Sequence, residues 1–252
     1  MIFFMKPTKI VVDCFTHNPV AFDLFPIKKS NECIPDWWKK VEKNPITDNS
    51  NKNLPWIKSN TVRRCSGIID YYNNQSFNVL LWSDVNLEYS RTGSRYIFAD
   101  GVSRIEYQEE FMRGDYLNDF HQFKIISPWK FKEKSGIKFH YSQSFYNFNN
   151  PDKLFLPPGI IDYKYQHTTE INFFVKKPEG ESYHDRLELE AGMPMAHITP
   201  ITEKKIELKH HLIDFNEFHN RFERTFFSFN SRYSKRKKIL DKKHKGCPFH
   251  KR

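Results

Sequence analysis

Residues 156–175 read LPPGIIDYKYQHTTEINFFV, and residues 191–201 read AGMPMAHITPI. Proline fixes φ and glycine permits φ > 0, so Pro158-Gly159 predicts a sharp corner that enters a strand. Ile160 and Ile161 read as the apolar anchors of that corner, and Asp162 then sits at a fixed place beside it. Gly192-Met193-Pro194 repeats the device before a second strand. Corner, strand, corner, strand is the grammar of a β-rich fold.

The same grammar extends outward. HQFKIISPW (121–129) and SGIKFHYSQSF (135–145) bracket a turn at 134–136. FNVLLWSDVNLEYS (77–90) alternates as a strand does, and RTGS (91–94) turns it back into RYIFA. VSRIEYQEEF (102–111) fits strand or helix. KIVVDCF (9–15), AFDLFPI (21–27), KKIEL (204–208) and the pair LELEA (187–191) with MAHITPI (195–201) read as strands. NECIPDWWKKVEKN (31–44) starts a short helix, with Pro35 in its first turn and Asp36 at its positive end. Residues 44–60 and 178–185 are polar loops.

The C-terminal part changes period. Apolar residues fall at Leu208, Leu212, Phe215, Phe218, Phe222, Phe226, Phe229 and Tyr233, in steps of three and four. That predicts one long amphipathic helix over about 212–240, with Asp214 or Asn216 near its start. The expected architecture is mainly β, a β-sandwich or jelly-roll-like fold, closed by this C-terminal amphipathic α-helix. Residues 1–211 form a single β-rich domain, 212–240 the helix packed on it, and 241–252 a basic tail.

Composition narrows the function classes. Aromatic residues make up 16% of the 252, with 24 Phe, 12 Tyr and 5 Trp, which excludes a wholly disordered chain. The formal charge is +10, yet residues 228–252 carry ten of the 40 Lys and Arg and one of the 30 Asp and Glu. The remainder holds 30 bases against 29 acids, so the body is close to neutral and any electrostatic footprint is terminal. Cys14, Cys33, Cys65 and Cys247 show no framework spacing. No run of about eighteen apolar residues exists, and MIFFMK is too short for a signal peptide. Host cytoplasm or virion, with free thiols and without secretion or a membrane partner, is the expected setting.

Two resemblances add to this. The ordered pieces IPDWWKK (34–40), TVRRCSGIID (61–70), LLWSDV (80–85), ISPWKFKEKSGIKF (126–139), PPGIIDYKY (157–165), INFFV (171–175) and AGMPMAHITPI (191–201) resemble an uncharacterised protein family of large-genome marine tailed bacteriophages. The resemblance covers roughly residues 25–205 and implies a viral origin, with no activity to carry over. Locally, PPGIIDYKYQHTTEINFFV…LEAGMPMAHITPI is similar in outline to the trimeric dUTPase and dCTP deaminase family. This implies a nucleotide-facing corner with Asp162 as its acid. The chain departs from that family after the Asp-Tyr pair, where its glycine is absent, and at His197, where it has Gln. Arg91-Thr92-Gly93-Ser94 stands where a phosphate-binding Arg-Ser-Ser run would be sought.

The remaining candidates divide between chemistry and structure. Arg63 and Arg64, beside Asp70 and Asp84, fit either an anion site or a buried ion-pair network. Lys235, Arg236, Lys237 and Lys238 begin the basic run and are anion-binding candidates. His244, Cys247 and His250 place three metal-ligand types within seven residues. Zinc takes four ligands, so a metal ion there needs a partner such as Cys65, His210 or His211. His210 and His211 with Asp214 and Glu217 match neither HExxH nor paired ExxH spacing. Trp37, Trp38, Trp56, Trp82 and Trp129 read as core or pocket lining. GxSxG, Walker and GxGxxG motifs are absent. The leading expectation is a phage accessory or virion-associated protein that acts by binding. Residues 229–252 would meet a nucleic acid or an acidic protein, and homo-oligomers are left open. The alternatives are an enzyme with a dUTPase-like nucleotide or small-anion pocket near Asp162 and Arg63/Arg64, and a metal-dependent enzyme.

Overall fold

The structure, a computed structural model, describes residues 9–43, 61–73, 75–101, 103, 105–108, 117–147, 153–180, 183–223 and 237–238. In chain order these form β1 (Lys9–Thr16), α1 (Pro19–Asp23), β2 (Lys28–Lys29), α2 (Asp36–Lys40), α3 (Ser66–Asn73), β3 (Phe77–Leu80), β4 (Val85–Ser90), β5 (Ser94–Phe98) and β6 (Ile105–Gln108). Then follow β7 (Phe120–Glu133), β8 (Phe139–Gln143), β9 (Leu154–Phe155), β10 (Gly159–Ile161), β11 (Thr168–Lys176), β12 (His184–Leu189), β13 (Pro194–Pro200), β14 (Lys205–Leu212) and α4 (Phe215–Phe218). A π-helical turn, His219–Glu223, continues α4. The protein is mainly β, as the sequence predicts.

The strands make three sheets. The first runs β14-β1-β7-β11-β9, with β6 also on β7; the second runs β10-β8-β13-β3-β2; the third runs β12-β4-β5. All pairs are antiparallel except β1 with β14, which run parallel. The 14-residue β7 is the spine. One edge pairs with β11, and the other pairs with β6 over Gln122–Ile125 and β1 over Lys130–Glu133. Pro128 lies in the gap between β6 and β1, where no ladder partner asks for its missing N–H. On the β11 side the register shifts between Thr168 and Glu170, opposite the same proline.

The alternation of each strand builds one shared core. Ile10, Val12 and Cys14 of β1, Phe123, Ile125, Trp129 and Phe131 of β7, and Ile171 and Phe173 of β11 are buried from the first sheet. Phe77, Val79, Phe139, Ala196 and Ile198 meet them from the second, with Phe77 and Phe131 5.9 Å apart between ring centroids. Val85, Leu87, Tyr89, Leu187 and Leu189 bring in the third. Trp82 and Trp129 are core residues.

Several expectations change. Residues 21–27 do not form a strand: Pro19 opens the short helix α1, and Asn18 Oδ1 accepts from Ala21 N at 3.1 Å. Asn-Pro is a helix start that the apolar run masked. LELEA and MAHITPI are not partners, since β12 pairs with β4 and β13 with β3 and β8. Gly192, at φ +85°, turns the chain from the third sheet into the second. Gly159 has no positive φ, so the Pro-Pro-Gly corner needs no special glycine, and of the two expected apolar anchors Ile161 packs on the core while Ile160 is 60% exposed.

The long C-terminal helix is also corrected at its start. Leu208 and Leu212 belong to β14, so helix begins at Phe215 rather than 212. A spacing of four keeps two residues on one face in a strand as well as in a helix, which is why the helical period seemed to begin early. Asp214 is the cap, its Oδ1 accepting from Glu217 N at 2.9 Å. The remainder of the expected helix, apart from Lys237 and Lys238, lies outside the described residues.

Candidate functional site

The quoted stretch folds into a tight, polar-pinned turn between β10 and β11. Asp162, 4% exposed, forms an ion pair with Lys138 of the loop before β8. Its other carboxylate oxygen accepts from Lys164 N at 3.2 Å, and its carbonyl accepts from Tyr165 N and Gln166 N at 3.1 and 2.9 Å. Tyr163 goes inward between Phe131 and Phe139, with its hydroxyl and that of Thr169 2.9 Å apart. His167 binds the Phe131 carbonyl through Nδ1 at 2.8 Å. Asp162 thus holds a turn, and its oxygens are engaged by groups that the fold supplies.

The outer side of this turn is cationic. Lys164 Nζ lies 5.5 Å from the centroid of the Tyr165 ring, and Lys237 Nζ from the C-terminal basic run lies 5.9 Å from the same centroid. A ring that faces two ammonium groups gives each a modest attraction. Lys164 also runs over the 134–136 turn, where a Cβ on Gly136 would stand 3.3 Å from its Cδ. Glu133 closes that turn by accepting from Ser135 N and Gly136 N, at 2.5 and 2.7 Å. Lys138 therefore pairs with Asp162, Lys164 runs over the turn that Glu133 closes, and Lys237 adds a further ammonium group at Tyr165.

Residues 213–222 pack beside this turn, on Phe15 of the first sheet. Phe15, Phe218 and Phe222 form a second small cluster with Ile213, and Phe222 packs edge-on to His167 at 5.6 Å. Arg221 lies over Phe15 at 4.9 Å.

Other predicted site residues lie apart. Arg63 donates from Nη1 to the carbonyls of Lys39 and Val41, at 3.2 and 3.3 Å, and stacks over Trp38 at 5.1 Å. It shares no partner with Asp162. Arg64 is exposed on the same 3-10 turn. Asp84 accepts from Ala191 N at 2.7 Å, which ties the third sheet to the Gly192 corner. His210 and His211 stand on β14, not on a helix, and so face opposite ways: His210 donates to the Ile27 carbonyl and His211 pairs with Asp13 at 2.9 Å. Among the described residues no group of three or more His, Cys, Asp or Glu could hold a metal ion. Lys235, Arg236, His244, Cys247 and His250 lie outside those residues, as does Trp56.

Two open grooves were not foreseen. One, of about 720 Å³, runs beside β4 and β12 and is lined by Tyr89, Arg95, His184, Asp185 and Arg186. Asp185 accepts from Lys153 Nζ at 3.1 Å and from the Tyr89 hydroxyl at 3.0 Å. Burial opposes its ionisation, but hydrogen bonds from the Arg186 N–H, Lys153 and Tyr89 outweigh it and hold the carboxyl below its usual range. The other, of about 730 Å³, lies between the sheet edges β2 and β14 and includes Lys9, Lys28, Lys29 and Lys205. There Lys29 Nζ donates to the Ile206 carbonyl at 2.7 Å, and burial lowers its pKa. No sequence motif marks either groove, because each joins segments that are far apart in the chain: 88–95 with 184–186 in the first, and 9–32 with 205–210 in the second.

No protein-family model matches the chain, and no curated protein aligns with it.

Proposed function

We propose that the protein acts by binding an anionic partner, as an accessory or virion-associated protein of a tailed bacteriophage, through a basic surface that joins its C-terminal run to the 162–166 turn. The observation that carries this reading is the pair of lysines, Lys164 and Lys237, on the one ring of Tyr165. Lys164 and Lys237 present two ammonium groups at one place, and a bound polyanion would be attracted to both. The charge division supports it: ten bases and one acid in residues 228–252, against a near-neutral remainder. Chemistry at Asp162 is the weaker reading, because its carboxylate is spent on Lys138 and the Lys164 N–H. The phage setting rests on the ordered resemblance across roughly residues 25–205.

Binding of this kind releases counterions, so affinity for a generic DNA or RNA should fall steeply with salt and depend little on base sequence. The full chain and a form truncated after Ser234 are compared on nucleic acid and on an acidic protein across a salt series. Truncation is expected to flatten the salt dependence and weaken binding at least tenfold at low salt. Lys164→Glu in the full chain is expected to do part of the same. Equal binding by full and truncated chains at low salt would overturn the proposal.

A further inference from the structure

Four buried polar groups have no hydrogen-bond partner: Trp38 Nε1, Arg63 Nε and the Tyr72 hydroxyl, whose side chains are neighbours, and Thr61 Oγ1, two residues before Arg63 in the chain. They come from α2, the 3-10 turn Val62–Arg64 with the residue before it, and α3. The Trp38 and Tyr72 rings are 5.8 Å apart between centroids, and the Arg63 guanidinium carbon is 5.1 Å from the Trp38 ring. Tyr72 is 1% exposed, so water outside the fold does not satisfy its hydroxyl. An unpaired buried polar group is costly, of order 1–3 kcal/mol, and native proteins rarely leave one, let alone four.

The chemistry of the four is one-sided. Indole and guanidinium N–H groups only donate, and the two hydroxyls can donate. Arg63 bonds only neutral carbonyl oxygens, those of Lys39 and Val41, so no carboxylate among the described residues balances its charge. The charged neighbours do not supply one either. Asp36 on α2 is exposed and pairs with Lys39, while Lys40 and Arg64 add positive charge. Two groups that can only donate, two hydroxyls free to donate, and a guanidinium charge with no carboxylate beside it disfavour a cation and favour an anionic acceptor.

We infer that Trp38, Thr61, Arg63 and Tyr72 form a binding site for a small oxyanion, a carboxylate or a phosphate, with Arg63 Nε–H and Trp38 Nε1–H as its fixed donors. Guanidinium and indole donors in a poorly hydrated place bind such a group more strongly than exposed lysines do. The site is separate from the surface around Tyr165 and does not depend on it.

The test uses the full-length protein and its isosteric variants Tyr72→Phe and Thr61→Val, with melting temperature read against sodium phosphate and, separately, sodium acetate. Sodium chloride at equal ionic strength is the reference. A ligand that binds only the native state raises the melting temperature in a saturable way. The wild type should show that rise with at least one of the two anions, and which one distinguishes phosphate from carboxylate. Without anion, Tyr72→Phe should be as stable as the wild type or more so, because it deletes a buried hydroxyl that has no partner. With anion, it and Thr61→Val should need at least several-fold more anion for half the rise. Two results would overturn the inference. One is a wild type that responds to neither anion beyond chloride. The other is a Tyr72→Phe variant destabilised equally with and without anion, which would mean that the hydroxyl serves an ordered water or a structural bond.

Discussion

Gly159 and Gly192 occupy similar proline-flanked corners in the sequence, yet only one needs to be glycine. Gly192 sits at φ +85°, with Phe25 Cε1 3.5 Å from where a Cβ would stand, an ordinary contact. The cost of Gly192→Ala is therefore backbone strain, and the variant should lose about 1 kcal/mol or more. Gly159 begins β10 with open space around a built Cβ and no positive φ, so Gly159→Ala should be neutral or gain a few tenths of a kcal/mol. Urea midpoints of the two variants check this; a larger loss at Gly159 than at Gly192 would refute the assignment. Asp162 teaches the same lesson. Its place beside a corner was legible, but Lys138, 24 residues away, makes it an anchor, and no local pattern names that partner.

At the scale of elements, β7 and the C-terminal segment decide most. β7 carries three partners because it is long enough to pair twice along one edge, and Pro128 marks the break. The C-terminal segment contributes a capped turn and a separate small cluster. Phe218, 1% exposed, packs with Phe222 and Phe15 and lies under Lys130 Nζ at 5.8 Å. Phe218→Ala should cost about 3 kcal/mol, and Asp214→Ala about 1 kcal/mol through loss of the cap. Both should leave the main core, from Val12 to Ile198, intact. Denaturant titration with near-ultraviolet circular dichroism checks this: the aromatic signal should persist while the midpoint falls. A Phe218→Ala midpoint equal to wild type would show that the segment is not docked as described.

For the whole molecule, pH reports how the helical and sheet parts are joined. His197 on β13 is 2% exposed and stacks on Tyr71 of α3, centroids 3.7 Å apart. Its Nε2–H donates to the Tyr71 carbonyl at 3.2 Å, and Thr199 Oγ1 lies 3.3 Å from Nδ1. Burial, which outweighs the bond to the Tyr71 carbonyl, pushes its pKa from 6.5 down to about 4. The folded state therefore binds fewer protons than the unfolded one. Stability is fully present above about pH 6.5 and falls as pH drops towards 4, by roughly 3 kcal/mol from this group. His210, also lowered by burial, adds in the same direction. Melting temperature followed from pH 7.5 to 4 should fall more steeply in the wild type than in His197→Gln. Equal slopes would show that protonation of His197 is not linked to unfolding.

The sequence by itself determined the β-rich class, the corners, the 91–94 and 134–136 turns, a helix start at Asp214 or Asn216, and the basic C-terminus. Each of these is local: turn chemistry, alternation, a capping side chain and a charge run are written within a few residues. It misread residues 21–27, the partner of β12 and the start of the C-terminal helix, because a short apolar run or a spacing of four suits more than one element. Only the tertiary structure decided which strands pair, that Lys138 neutralises Asp162, that Lys237 shares Tyr165 with Lys164, and that Trp38 lies between Arg63 and Tyr72. Those contacts join residues tens to nearly two hundred positions apart. What fixes them is the burial of one shared core between three sheets, which no local segment encodes.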